Sequence, residues 1–435
     1  MSAHNKIFLG MLVGTVSGIA VQHAGFSAET IQTVTRFVKP VGDVFLRMIF
    51  MVIMPLLLSA LTLGVAEIGD IRKIGKVGLR TLAYTVVVSM IAVLLGIALV
   101  TVFEPGRHFS DRKRELLIEK YSGPATNTER TQVPSGSVGI LDALVKLVPR
   151  NPLEDMTRAF DPEYTGGGIL AVIFFALMLG IALALTEPGK TRTFKKNLEG
   201  LYEIVMKIIS IGMKLAPFGV ASLLFCLTAT MGFSILGLLS RYVLVVLLGL
   251  VLHQFVVYSL LLKFAGKMNP WFFFKNMREV MLMAFSTSSS NATLPTTLKT
   301  AIEKLNLPPD ISRFVLTVGS TANQNGSALY EGITVLFLAQ CFGLPLTFSQ
   351  QAFVVFLAVL AGIGTAGVPG GSLPAVVMIL TGIGLPAESI GIILGVDRLL
   401  DMSRTVLNVT GDVTAAVYVS RFEVHNRIPV RRVSD

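Results

Sequence analysis

Apolar residues run along this 435-residue chain in blocks long enough to cross a bilayer, separated by short charged connections. Residues 82–103, 166–186, 215–240 and 242–262 contain no Asp, Glu, Lys or Arg. Each can span about 30 Å of hydrocarbon as a helix. The pattern predicts helical spans at 7–24, 41–67, 80–103, 138–186 (interrupted around Pro149 and Pro152), 198–230 and 237–263, with a polar loop over 104–137. The apolar block at 7–22 reads as a retained first span rather than a removed leader.

The C-terminal half has a different texture. Residues 270–298 are apolar but interrupted by a Ser-rich stretch around 286–290, and residues 349–386 by a Gly-rich stretch at 362–372. Arms of about 10–14 residues are too short to span and read as re-entrant segments. Their tips expose backbone groups, which is tolerated only against protein, water or ligand. A longer apolar segment follows each, at 311–342 and 389–420. The order hairpin then span thus occurs twice, and the flanking charges give the two copies opposite orientations. That is an inverted repeat, and interrupted segments in corresponding positions point to a binding site.

The last segment carries the most chemistry. Asp397, Asp401, Arg404, Thr405, Asn408 and Asp412 fall on one helical arc roughly 100° wide. A charge at the bilayer centre costs about 2.5–3.5 kcal/mol, so three Asp and one Arg facing lipid would cost roughly 10 kcal/mol. The stripe must line a site. Three Asp against one Arg leave a negative excess that asks for cations, with Arg398 toward the edge of the stripe. Arg404 offers a planar fork for a carboxylate. Asp401 can pair with an ammonium, Asn408 and Thr405 can orient a ligand, and Asp412 can give a hard cation an anionic oxygen. Upstream, Asn323, Gln324, Asn325 and Gly326 interrupt the 311–342 span, and an unwound helix frees carbonyl oxygens for Na+. The hydroxyls and freed N–H groups of the Ser-rich tip suit a carboxylate. Glu331 is an intramembrane acid and a candidate proton carrier. His253 reads as a satisfied core histidine.

Composition narrows the class. The chain is 52% hydrophobic and 15% charged, with a mean hydropathy of +0.70, which predicts an all-α polytopic membrane protein and excludes an ordinary soluble enzyme. The net charge of +10 comes from basic clusters around 72–80, 190–196, 263–278 and 421–432. By the positive-inside rule these are cytoplasmic, which places both termini inside and makes the number of spans even. Nucleic-acid binding does not follow. Cys226 and Cys341 read as buried free thiols, with no disulfide framework or metal spacing. No nucleophile–base pair supports an enzyme and no cofactor is implied.

Four stretches resemble the signatures of the glutamate/aspartate transporter family, the dicarboxylate/amino acid:cation symporters: Thr287 to Ser290, Asn323 to Gly326, Gly364 to Gly370, and Asp401 to Asp412 with its Arg404, Thr405, Asn408 and Gly411. The resemblance covers nearly the whole chain. It implies a cell-membrane homotrimer whose protomers have eight transmembrane segments, two re-entrant hairpins and an elevator mechanism. Segments 1–2 (1–79) and 4–5 (138–232) then form a scaffold. Segment 3 (80–103) and residues 233–420 form the transport domain, with hairpin 1 at about 270–298, segment 7 at about 311–342, hairpin 2 at about 349–386 and segment 8 at about 389–420. Residues 104–137 are an extracellular loop and 421–435 a cytoplasmic tail.

By the same resemblance, Arg404 holds the substrate side-chain carboxylate and Asp401 its amino group. Ser289, Ser290, Ser327, Val368, Thr405 and Asn408 complete the substrate pocket. Gly319, Asn323, Asn408 and Asp412 look like one Na+ site, and Thr321, Gln324, Gly362, Ile363 and Thr365 like a second. A third cation site is expected to be absent or poor: Asn325 stands where the family pattern has Asp, and Val88 where it has Thr, beside a retained Ser89. Ser288 and Met402 stand where relatives carry an arginine. The function implied is symport of aspartate or glutamate driven by Na+, with H+ as a candidate second ion. A proton-coupled or sodium-independent carrier of C4-dicarboxylates or other amino acids, and an anion channel, stay open as alternatives.

Overall fold

The computed structural model describes residues 3–73, 76–107, 114–115, 148–159, 161, 164, 166–364, 367 and 369–427. These residues are helical or in turns and loops, with no strand among them. Five helical stretches in this set are long and apolar enough to cross a membrane, the longest being Pro188–Met231.

The first group of helices is packed through glycine. Helix α1 (Ala3–His23) runs along α7 (Pro188–Met231). Gly10, Gly14 and Gly18 recur every fourth residue on one face of α1. A Cβ on Gly10 would lie 2.2 Å from the Pro217 carbonyl oxygen, and one on Gly14 2.2 Å from that of Ala221. Only glycine lets the two backbones approach this closely. Helix α2 (Ala28–Phe50) starts at Ser27, whose hydroxyl caps Thr30 N–H at 3.2 Å. Pro40 interrupts its ladder, and the Ser222 hydroxyl of α7 is inserted there. It accepts from Gly42 N–H (3.1 Å) and donates to the Val38 carbonyl (2.7 Å). One side chain thus bridges two backbone groups that a straight helix would pair directly.

Helix α3 (Ile53–Lys73) follows after a break at 51–52, so the span expected at 41–67 is two helices that begin well before it. Hydropathy does not register the polar first turns of α2. For the same reason α7 starts ten residues ahead of the expected 198. Helix α4 (Lys76–Phe103) agrees with expectation. The interrupted fourth segment resolves into α5 (Pro152–Arg158) and α6 (Gly168–Leu185). The buried Asp155 carboxylate ties these together, accepting from Gly168 N–H (2.9 Å) and the Tyr164 hydroxyl (3.1 Å). Helix α6 packs on α3.

The second group surrounds helix α12 (Asn325–Cys341), in which every residue except Gln340 is buried. A helix buried on every side belongs at the centre of an assembly. It touches α4, α8 (Phe233–Leu252, continued by wide π-type turns at His253–Val257 and Leu261–Gly266), α13 (Phe348–Gly364), α14 (Leu373–Gly382) and α15 (Leu394–Arg427). The segment expected at 270–298 is a helix–loop–helix pair, α9 (Pro270–Thr287) and α10 (Ser290–Lys299). The segment expected at 349–386 is the pair α13 and α14. Between them α11 (Pro309–Ala322) and α12 are separated by Asn323 and Gln324, at the amide-rich interruption. Both cysteines are buried, as expected.

Candidate functional site

Helix α15 carries five charged side chains through the interior, and none is more than 7% exposed. Near its start these form a ladder. Arg404 Nη1 donates to Asp397 Oδ1 at 2.9 Å, and Arg404 Nη2 lies 2.9 Å from Asp401 Oδ1. Arg398 Nη1 donates to Asp401 Oδ2 at 2.9 Å. Tyr330 of α12 supports the ladder twice. Its hydroxyl donates to Asp397 Oδ1 (2.7 Å), and its ring lies 4.2 Å beneath the Arg404 guanidinium carbon. The Gly370 N–H completes Asp401 at 3.2 Å. Arg398 was expected at the edge of the stripe, but its long side chain reaches in, and the four charges form a formally neutral quartet.

The quartet uses one edge of Arg404 only in part. Nη2 is close to Asp401 but not aligned with it as a hydrogen bond, and Nε has no acceptor among the described residues. Nε and Nη2 form the side of a guanidinium that binds a carboxylate through two parallel bonds. Unaligned donors on a fully buried arginine are costly to leave unused. Ser290 lies at the start of α10, and its buried hydroxyl also has no partner among the described residues. Thr405 donates to the Asp401 carbonyl (2.7 Å), so its hydroxyl is held within the helix.

One to two turns further along, the chemistry changes. Asp412 is 3% exposed, and the hydrogen bond it receives is from a neutral group, Asn323 Nδ2, at 3.0 Å. Asn323 Oδ1 is buried without a partner among the described residues. A Cβ on Gly319 would lie 2.6 Å from Asp412 Oδ1, so glycine is what admits the carboxylate beside the α11 backbone. Asn408 fastens the break from the other side. Its Oδ1 accepts from Gly326 N–H (2.7 Å) and Ser327 N–H (3.3 Å). Its Nδ2 donates to Gln324 Oε1 (2.5 Å) and Ser327 Oγ (3.2 Å). Gln324 N–H in turn donates to the Gly362 carbonyl at the end of α13 (3.3 Å). The structure therefore gathers Gly319, Asn323 and Asp412 at one point and joins Gln324 to Gly362 and Asn408 at another. Thr321 and Ile363 lie next to these groups in sequence, with the Thr321 hydroxyl turned to the Val318 carbonyl (3.0 Å). Thr365 and Val368 lie outside the described residues.

The two helix-pair loops meet over this region. Ser289 caps α10 through Ala292 N–H (3.2 Å) and donates to the Gly367 carbonyl (2.8 Å). Its hydroxyl, assigned to the substrate pocket from the sequence, is engaged in this loop–loop bond. Asn325 is fully buried and its amide is satisfied. Oδ1 accepts from Ser89 (2.7 Å) and Nδ2 donates to the Tyr258 hydroxyl (3.1 Å), while Val88 is buried beside Ser89. Glu331 is fully buried, and neither carboxyl oxygen has a partner among the described residues. His253 is buried too, but neither ring nitrogen has a partner there, which corrects the satisfied-histidine reading. Sequence reasoning missed Tyr330 and Tyr258. Each sits in an apolar helix where a tyrosine signals core, and only the fold shows which polar group its hydroxyl meets.

The family model described as the sodium:dicarboxylate symporter family matches residues 4–422. The chain is 32% identical over 419 residues to a proton/sodium-glutamate symport protein of Bacillus subtilis, covering 96% of this chain and 92% of that one. It is 31% identical over 419 residues to the proton/glutamate-aspartate symporter of Escherichia coli, covering 96% and 92%. It is 30% identical over 454 residues to excitatory amino acid transporter 1 of Ambystoma tigrinum, covering 96% and 82%. A polar stripe buried among membrane-length helices and a match along nearly the whole chain have one meaning: this membrane protein is a transporter rather than an enzyme, and it belongs to the sodium:dicarboxylate symporter family.

Proposed function

We propose that the protein is a secondary active symporter of an acidic amino acid, aspartate or glutamate, driven by Na+, with H+ as a further coupling ion. The observation that carries this reading is the Nε–Nη2 edge of Arg404, which lacks an aligned acceptor among the described residues, set inside a neutral quartet and about two turns from the uncompensated Asp412. The names of the relatives support the substrate class.

In this reading the substrate side-chain carboxylate takes the Arg404 edge and its ammonium takes Asp401. Its α-carboxylate meets Asn408 and the Ser289–Ser290 tip, with Ser327, Thr405 and Val368 completing the pocket. Na+ sits at Gly319, Asn323, Asn408 and Asp412, and a second ion at Thr321, Gln324, Gly362, Ile363 and Thr365. Charge sets the number of ions. The quartet is neutral, the substrate brings one net negative charge and Asp412 another, so two monovalent cations neutralise these groups, and a proton on the buried Glu331 neutralises its carboxyl. Burying uncompensated charge costs several kcal/mol per ion, which couples substrate to cations. A third Na+ is not needed. Asn325 holds no charge, and its amide is already engaged by Ser89 and Tyr258 beside Val88.

Eight membrane segments, two re-entrant hairpins formed by α9–α10 and α13–α14, cytoplasmic termini, a homotrimeric assembly and elevator motion of residues 80–103 and 233–420 against a scaffold complete the proposal. Uptake of labelled aspartate and glutamate into proteoliposomes tests it, with Na+ and H+ gradients imposed separately. Accumulation driven by inward Na+ is expected. A protein that accumulates neither substrate under either gradient contradicts the reading. The unpartnered Glu331 favours a second reading, in which H+ replaces one Na+. Accumulation driven by H+ alone selects it.

A further inference from the structure

We propose that Tyr258 is a positioning residue for the break between α11 and α12, acting through Asn325, and that it thereby sets the affinity of a cation face it does not touch. The inference rests on the reading of Gly319, Asn323 and Asp412 as a cation site.

Asn325 is the first residue of α12, immediately after the unwound Asn323 and Gln324. It is held at both ends of its amide: by Ser89 of α4 at 2.7 Å and by Tyr258 of α8 at 3.1 Å. The Tyr258 hydroxyl donates onward to the Leu407 carbonyl of α15 at 3.1 Å. Four helices are thus joined at one buried point. Two details of the chain allow this. Helix α8 widens into π-type turns on either side of residues 258–260, and such turns recur at functional sites. Gly411 leaves the necessary space. A Cβ there would lie 2.4 Å from the Tyr258 hydroxyl and 2.8 Å from Asn325 Nδ2.

The next residue after Gly411 is Asp412, and two residues before Asn325 is Asn323. The two halves of the cation face, joined by the 3.0 Å Asn323–Asp412 bond, therefore each lie within two residues of the Tyr258 contact. If the hydroxyl is removed, Asn325 Nδ2 is left buried without an acceptor and the start of α12 is free to shift. Asn323 Oδ1 then moves relative to Asp412, and a cation site loses affinity when its oxygen ligands lose their spacing.

A packing role for Tyr258 makes a different prediction. Tyr258→Phe keeps the ring and its edge-on contact with His253 (4.8 Å between centroids) and removes only the hydroxyl. Gln254 provides the control. It ties α8 to the same side of α15 through Thr410 at 2.9 Å but does not reach Asn325. In proteoliposomes, Tyr258→Phe is expected to raise the half-saturating Na+ concentration about fivefold or more, the scale of one lost buried hydrogen bond. Substrate KM at saturating Na+ should stay within about twofold of wild type. Gln254→Leu should shift neither. Ser89→Ala, which loosens the same amide from the α4 side, should shift Na+ in the same direction. On an Asn325→Ala background, Tyr258→Phe should add nothing further. A Na+ shift no larger than that of Gln254→Leu, or one that persists without the Asn325 amide, overturns the inference. A wild-type protein indifferent to Na+ overturns the cation reading itself, and this inference with it.

Discussion

Where α1 crosses α7, glycines press against carbonyl oxygens, and the contact is made by backbone and small groups. Where α15 crosses α11 and α12, five charged side chains are buried, and the acid at the far end of the row is met by an amide. Both interfaces are tight and both depend on glycine, but the glycines do different work. Gly14 brings two backbones together, and any added atom collides with a carbonyl that cannot move. Gly319 admits a carboxylate, Asp412, that has no cationic partner within the described residues. The first interface is optimised for stability. The second accepts a desolvation cost that makes sense only if ligands complete it.

Removing groups from the two regions should therefore have different signatures, with binding altered only in the second, and the largest effect belongs to Arg404. Arg404→Ala leaves Asp397 and Asp401 facing each other with only Arg398 between them. A loss of about 3–5 kcal/mol is expected, as for one partner stripped from a buried pair, together with loss of detectable aspartate and glutamate binding. Thermal melting and isothermal titration check both. Unchanged affinity for both substrates refutes its assigned role.

On the α1–α7 side, Gly14→Val forces side-chain atoms onto the Ala221 carbonyl. It should cost about 1–3 kcal/mol or more, visible as a lower Tm, with the Na+ dependence of the remaining folded protein unaltered. A Gly14→Val protein of normal Tm and altered Na+ dependence would mean that the glycine-packed half belongs to the binding machinery. Ser222→Ala strands Gly42 N–H and the Val38 carbonyl at the Pro40 interruption, and about 1–3 kcal/mol of stability should be lost, again without a change in Na+ dependence.

The polar region was more legible in the sequence than the glycine-packed one. Asp, Arg and Asn are costly in an apolar run, so Asp401, Arg404, Asn408 and Asp412 stand out from the sequence, as does the break at Asn323. Their partners do not. A helical arc treats side chains as points near the axis, and Arg398 sits outside that arc while its guanidinium reaches Asp401. Tyr258 and Tyr330 are apolar by position, and their roles depend on which helix each one faces. Ser222 is one hydroxyl in an apolar span, and its insertion into α2 depends on a proline more than 180 residues away. The early starts of α2 and α7 escaped notice because hydropathy registers the membrane-facing part of a helix and not its polar turns.

The contrast is sharpest at Asp412. Its neutral isostere Asn removes an uncompensated buried charge, so Asp412→Asn should leave the Na+-free protein as stable as wild type or more so. It should also remove the anionic ligand of the proposed Na+ site. The decisive measurement is the Tm of wild type and Asp412→Asn across a Na+ titration at constant ionic strength, since a bound ion stabilises by mass action. The expected result is a wild-type Tm that climbs with Na+ and an Asp412→Asn Tm that begins equal or higher and stays flat. An Asp412→Asn protein that melts lower without Na+ and still climbs with it would contradict the assignment of this buried acid to a cation.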